Sequence, residues 1–137
     1  FMQGPPQFTE LMHGYTYSGH PLAMAAAIGT MDAYNEDKIF ENSLKMAPLL
    51  EEAIHSLRNK PRVVDIRNCG LLAAVQLEEY SKEDPVKYAR DTSYELFRRG
   101  AMVRFTNTNV YLSPPLVINP NQIDQLMTMI GDILDTY

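Results

Sequence analysis

Apolar residues recur along this chain first at helical spacing, then in alternation, and the two patterns trade places until a last helical stretch closes the sequence. Residues 4–18 read as loop. Pro21 sits where the first turn of a helix accepts it, and Leu22, Ala23, Met24, Ala25, Ala26, Ala27 and Ile28 carry that helix to about Tyr34. The segment is apolar nearly all round, the pattern of a helix covered on more than one side, so a body N-terminal to this chain or a partner subunit is expected against it. From Glu36 to Asn59, Phe40, Leu44, Ala47, Leu50, Ile54 and Leu57 mark one long amphipathic helix or two shorter ones. Proline inside a helix costs about 3 kcal/mol, so either a kink at Pro48 or a new helix beginning there is expected.

Arg62–Arg67 and Leu71–Leu77 read as strands of a hairpin, with Asn68, Cys69 and Gly70 as the turn. Asp84 before Pro85 serves as an expected N-cap, and Arg98, Arg99 and Gly100 supply last-turn cations and a stop, which brackets a helix over about 85–99. Ala101–Phe105 and Asn109–Leu112 are two more short strands around Thr106, Asn107 and Thr108. Asn119 and Pro120 open a final helix with Ile123, Met127, Ile130 and Leu134 on one face. The fold class this predicts is α/β, of the two-layer α+β kind: a small, mostly antiparallel sheet covered by helices.

Composition narrows the partners. At 137 residues and 45% hydrophobic content the chain can bury a core. A net charge of -5, with no cationic cluster beyond Arg98 and Arg99, excludes nucleic acid and anionic membrane surfaces as partners. Cys69 stands alone and no apolar run reaches membrane-spanning length, so a reducing, cytoplasmic setting is expected. The opening Phe1-Met2-Gln3-Gly4-Pro5-Pro6 is no signal peptide and reads as a cut, which makes the chain an expected fragment of a longer protein.

Candidate chemistry concentrates in His13-Gly14-Tyr15-Thr16-Tyr17-Ser18-Gly19-His20-Pro21. Gly14 permits close backbone approach, Thr16 and Ser18 offer hydroxyls and amides, and the helix that follows adds a favourable dipole, so an anionic ligand is expected near Tyr15 and Thr16. By pattern alone the same residues also make an ordinary turn before a helix. Arg104 likewise reads as a solvent-facing strand residue, although alternation puts Met102 and Arg104 on one face and Val103 and Phe105 on the other, which lets Arg104 open on a cleft. His13 and His20 lack a further ligand at metal spacing, so no metal site is expected, and Cys69 is taken as an inert thiol. Asp65 and Arg67 are placed to pair at the surface.

The stretch His13–Pro21 resembles the HGYTYSGHP segment of the class III pyridoxal-phosphate aminotransferases. Val64–Ala74 is similar to that family's small-domain hairpin and Met102–Phe105 to a later strand, so the resemblance covers in effect the whole chain. Within the family it looks most like the omega-amino acid:pyruvate, or beta-alanine:pyruvate, aminotransferases. The resemblance implies fold type I, with residues 1–34 as the tail of the large cofactor-binding domain and 35–137 as the C-terminal small domain. It implies pyridoxal 5'-phosphate as cofactor, with Tyr15 and Thr16 binding its phosphate across a dimer interface and Arg104 gripping the substrate carboxylate. A homodimer or dimer of dimers is implied, with an omega-amino acid or amine as donor and pyruvate or another keto acid as acceptor. The family's cofactor-binding lysine lies upstream of the segment, so no catalytic residue is assigned and the 137 residues alone are expected to be inactive. Two other readings stay open: a 4-aminobutyrate or diamine aminotransferase of the same class, and a non-catalytic dimerisation or binding module of this fold.

Overall fold

The computed structural model describes residues 14–137 and divides after Glu36 into two units. The described part of the first is a turn leading into α1 (Pro21–Glu36), with Pro21 in the first turn as the sequence predicts. Within its own unit α1 buries no residue.

The second unit, Asp37–Tyr137, holds a four-stranded sheet and the remaining helices. Lys38 adopts a left-handed conformation, φ 49°, which separates α1 from α2 (Ile39–His55). α2 passes through Pro48 unbroken, so the alternative of a new helix beginning there is not taken. Pro48 and Leu44 are both exposed, and the Leu44 carbonyl that Pro48 cannot serve lies on the side of the helix turned to water. A short 3-10 turn, Ser56–Asn59, ends the segment.

β1 (Val63–Cys69) and β2 (Leu72–Leu77) form the expected antiparallel hairpin. Its turn is the two residues Gly70 and Leu71 instead of the three from Asn68 to Gly70: Cys69 pairs with Leu72, and Gly70 takes the left-handed conformation (φ 57°) that a two-residue turn needs. α3 (Lys87–Arg98) begins two residues later than the sequence suggests. Asp84 does not cap it; its carboxylate accepts hydrogen bonds of 3.0 and 2.7 Å from Arg90 instead, which hold its pKa below the ordinary carboxylate range. Gly100, φ 93°, ends α3 as expected. β3 (Arg104–Thr106) is shorter than predicted, and β4 (Asn109–Leu112) returns from it over Asn107 in the left-handed region, φ 52°.

Strand order is β1-β2-β4-β3, antiparallel throughout, which leaves β3 as an edge. One cross-strand row, Ile66, Val75, Val110 and Phe105, faces the core with Leu50, Ile54, Leu96 and Leu134 of the helices. The next row, Arg67, Ala74, Tyr111 and Arg104, faces the other way. The pattern is the two-layer fold expected: a small antiparallel sheet with helices on one side.

α4 (Pro120–Leu134) packs against α2 and α3 with Ile123, Met127, Ile130 and Leu134 buried, the face the sequence marked. Asn119 caps it reciprocally: its Oδ1 accepts from the Gln122 amide at 3.0 Å, and the Asn119 amide donates to Gln122 Oε1 at 3.0 Å. Asn119→Ala removes half of this box and is expected to cost about 1 kcal/mol, read as a lower urea midpoint at unchanged slope.

Candidate functional site

Arg104 opens β3 at the free edge of the sheet. A cleft of about 790 Å³ runs along that edge between β3, β4 and α3, lined by Ser93, Tyr94, Phe97, Met102, Val103, Arg104, Phe105, Tyr111 and Ser113. Tyr94 and Phe105 meet edge to face, with ring centres 6.2 Å apart, and set its inner wall. Apart from the arginine and two serines, the lining is aromatic and aliphatic. A planar, permanently charged fork in such walls suits a small carboxylate.

The arginines differ in how they are spent. Arg58 donates to His55, Arg62 pairs with Glu78 and Arg90 with Asp84, and Arg98 and Arg99 both reach Glu95. Arg67, in the same cross-strand row as Arg104, donates to Asp65 (2.7 Å), Gln76 (3.0 Å) and Asn109 (2.5 Å). The Asp65–Arg67 pair expected from the sequence is therefore made, within a wider polar cluster. Arg104 makes no hydrogen bond or ion pair among the described residues. Its donors are unspent.

In the first unit, Tyr15 and Thr16 lie in a tight turn before α1. The Tyr15 amide donates to Ser18 Oγ at 2.9 Å, and the Ser18 amide returns to the Tyr15 carbonyl at 3.0 Å, so part of the polar capacity expected of Ser18 is used in holding the turn. Gly19 (φ 76°) then turns the chain into the helix, and the His20 amide donates to the Tyr17 carbonyl at 3.1 Å. Thr16 is exposed and commits neither hydroxyl nor amide among the described residues, and the first turn of α1 carries no acidic residue to repel an anion. A free hydroxyl and amide beside a helix N-terminus fit a phosphate group.

His13 lies outside the described residues. His20 has Tyr17 as its aromatic neighbour, with ring centres 6.2 Å apart, and the described residues contain no cluster of metal-binding side chains. Cys69 is a free, exposed thiol at the end of β1. None of the lysines lines the Arg104 cleft; Lys60 and Lys87 are paired with Asp135 and Asp91. Sequence reasoning missed Ser93, Tyr94 and Phe97, because α3 was read only for its ends. The signal was present: Ser93 falls on the buried stripe of Ala89, Thr92 and Leu96, where an apolar residue is the rule.

A family model described as Aminotransferase class-III matches residues 4–134. The chain belongs to the class III aminotransferases. It is 38% identical over 133 residues to the omega-aminotransferase of Caulobacter vibrioides, a match that covers 97% of this chain and 30% of that protein. It is 34% identical over 131 residues to the beta-alanine–pyruvate aminotransferase of Pseudomonas aeruginosa, covering 96% of this chain and 29% of that protein. Among solved structures, a thermostable omega transaminase mutant from Pseudomonas jessenii superposes with a TM-score of 0.79 at 29% identity, over 92% of this chain and 29% of the other. A transaminase from the marine bacterium Virgibacillus gives a TM-score of 0.78 at 30% identity, over 93% of this chain and 31% of the other. This class III chain thus spans about 30% of the length of the curated relatives it matches. Among its described residues no helix is long and apolar enough to cross a membrane.

Proposed function

We infer that this chain is the C-terminal part of a pyridoxal-phosphate-dependent aminotransferase that moves an amino group from an omega-amino acid or amine to pyruvate. The observation that carries the reading is Arg104, an arginine without a partner among the described residues, in an apolar-walled cleft, in a chain of the class III family. Relatives named as omega-aminotransferase and beta-alanine–pyruvate aminotransferase support the substrate class. On this reading residues 1–34 are the tail of the large domain and 35–137 the small domain, in a cytoplasmic homodimer or dimer of dimers.

Pyridoxal phosphate, when bound, supplies the electron sink through which an amino group leaves one substrate and is later handed to another. The chain's own residues bind and orient. Arg104 holds the carboxylate of donor and acceptor in turn and so orients both, although the reacting carbon lies one bond further from that anchor in beta-alanine than in pyruvate. Tyr94, Phe97 and Met102 line the cleft around Arg104 with apolar surface. Thr16, through hydroxyl and amide, and Tyr15 beside it hold the cofactor phosphate of the neighbouring subunit, which makes each site depend on the dimer. The lysine that the cofactor requires is assigned to none of the five in this chain, and the 137 residues alone are expected to be inactive.

The test is alanine formation from beta-alanine and pyruvate by the full-length gene product. Transfer that depends on added pyridoxal phosphate, with none from residues 1–137 alone, supports the reading. Transfer from 4-aminobutyrate or putrescine but not from beta-alanine moves the protein to another branch of the class. A full-length product that transfers from none of them leaves a binding module.

A further inference from the structure

Arg104 and Tyr111 are cross-strand partners of β3 and β4, so their side chains leave the sheet side by side, on the face turned away from the helices, with Cβ atoms about 4.5–5.5 Å apart. On the other flank Tyr111 pairs with Ala74 of β2, which offers only a methyl group. Two clefts meet at Tyr111. The Arg104 cleft, about 790 Å³, shares Tyr111 and Ser113 with a smaller cleft of about 340 Å³ whose lining includes Arg67, Cys69, Leu72 and Ala74. Of the two shared residues, Ser113 contributes a hydroxymethyl group and Tyr111 a ring, so Tyr111 fills the boundary. It is 40% exposed and makes no hydrogen bond or ring contact among the described residues. What it contributes here is bulk. Beyond it the smaller cleft is apolar, with Leu72 and Ala74 nearest in the sheet, and its arginine, Arg67, is spent on Asp65, Gln76 and Asn109. Such a cleft takes hydrocarbon and has no anchor left for a second charge.

In the function proposed above, a keto acid is held by its carboxylate at Arg104. Its reacting carbon is bonded to that carboxylate, so the part that varies between keto acids, the side chain, starts beside Arg104, where Tyr111 stands. The methyl group of pyruvate needs little room, whereas a four-carbon chain is about as long as one strand spacing and extends over the Tyr111 position toward Ala74. We propose that Tyr111 is a specificity-determining residue: its ring closes the Arg104 cleft against the smaller one and restricts the acceptor to keto acids with short side chains. The inference rests on the assignment of Arg104 to the carboxylate and concerns only the group attached beyond it.

The test compares pyruvate with 2-oxohexanoate in the second half-reaction of the full-length, cofactor-loaded enzyme. Propanoate and hexanoate, the matching carboxylates that cannot react, are compared by inhibition constant. Tyr111→Ala is expected to raise kcat/KM for 2-oxohexanoate relative to pyruvate about tenfold or more, and to tighten hexanoate relative to propanoate by a similar factor, since each buried methylene is worth about fourfold. Leu72→Trp, added to Tyr111→Ala, refills the smaller cleft and takes the gain back. Tyr111→Phe keeps the ring and leaves both ratios as in the parent. Tyr111→Val, smaller than tyrosine but still suited to a strand, gives the same reading where Tyr111→Ala does not fold. Ratios that neither truncation moves, a gain that Leu72→Trp leaves intact, or a gain shown equally by Tyr111→Phe overturn the proposal while the carboxylate role of Arg104 stands. Constants for pyruvate and propanoate that Arg104→Ala does not move overturn that role itself, and this inference with it.

Discussion

Arg104→Ala lowers kcat/KM of the full-length enzyme for beta-alanine about a hundredfold, yet leaves the first half-reaction with a carboxylate-free amine such as 1-phenylethylamine within about twofold. The size follows from losing a bidentate, charge-assisted contact, each such bond being worth about 1.5–3 kcal/mol. The selectivity follows because an amine without a carboxylate has nothing for Arg104 to hold. Single-turnover measurement of the half-reaction is needed, since pyruvate also carries a carboxylate and its step is slowed as well. Arg104→Lys recovers only part of the loss, because an ammonium offers a point charge where the guanidinium offers a planar fork. Arg104 bonds to no described residue, so folding stability is expected to change by no more than about 0.5 kcal/mol. Equal losses for both donors would assign Arg104 to the architecture of the site instead of to the carboxylate.

The second large effect is expected at Thr16. Its hydroxyl and amide are uncommitted among the described residues, beside the first turn of a helix that carries no acid. Thr16→Ala removes one charge-assisted hydrogen bond to a phosphate, about 1.5–3 kcal/mol, or roughly ten- to a hundredfold in cofactor affinity. The check is the fraction of pyridoxal phosphate retained after dialysis, read from its absorbance. Thr16→Ser keeps the hydroxyl and is expected to retain the cofactor, whereas Thr16→Val, of similar shape, is expected to lose it. If Thr16→Ala retains cofactor as well as the parent does, the turn before α1 is only a turn.

Much of this architecture is legible in the sequence, because the local signals are strong and agree with one another. Asn119 with Gln122 closes a full capping box, Gly100 stops α3, and the face of Ile123, Met127, Ile130 and Leu134 is buried as spacing requires. The differences arise where two groups compete for one partner. Asp84 has the chemistry of an N-cap, but Arg90 offers it two charged hydrogen bonds, and a guanidinium outbids a backbone amide. The first hairpin turn moves because Gly70, the residue free to take positive φ, needs to be first of a two-residue turn, and this draws Asn68 and Cys69 into β1. Pro48 gave no unique answer from local rules, since the cost of the missing bond depends on which side of α2 faces water, and only the packing of Met46, Leu50 and Ile54 fixes that.

At the site, alternation alone puts Arg104 on the face opposite Phe105, which the register with Tyr111 and Val110 matches. That it has no partner among the described residues could not be read from sequence, because Glu95 and Asp91 are close enough in the chain to have served it and are instead taken by Arg98, Arg99, Arg90 and Lys87. Ser93 was hidden for a different reason. A serine in a helix is unremarkable until its neighbours are known, and only the fold shows that α3 turns it inward with no acceptor for its hydroxyl among the described residues.

The account stands most directly on where the cofactor is attached. Borohydride reduction of the full-length, pyridoxal-phosphate-loaded protein, followed by peptide mass spectrometry, fixes that position. The account predicts a single adduct on a lysine outside these 137 residues. An adduct on Lys38, Lys45, Lys60, Lys82 or Lys87, or no adduct at all, would contradict it.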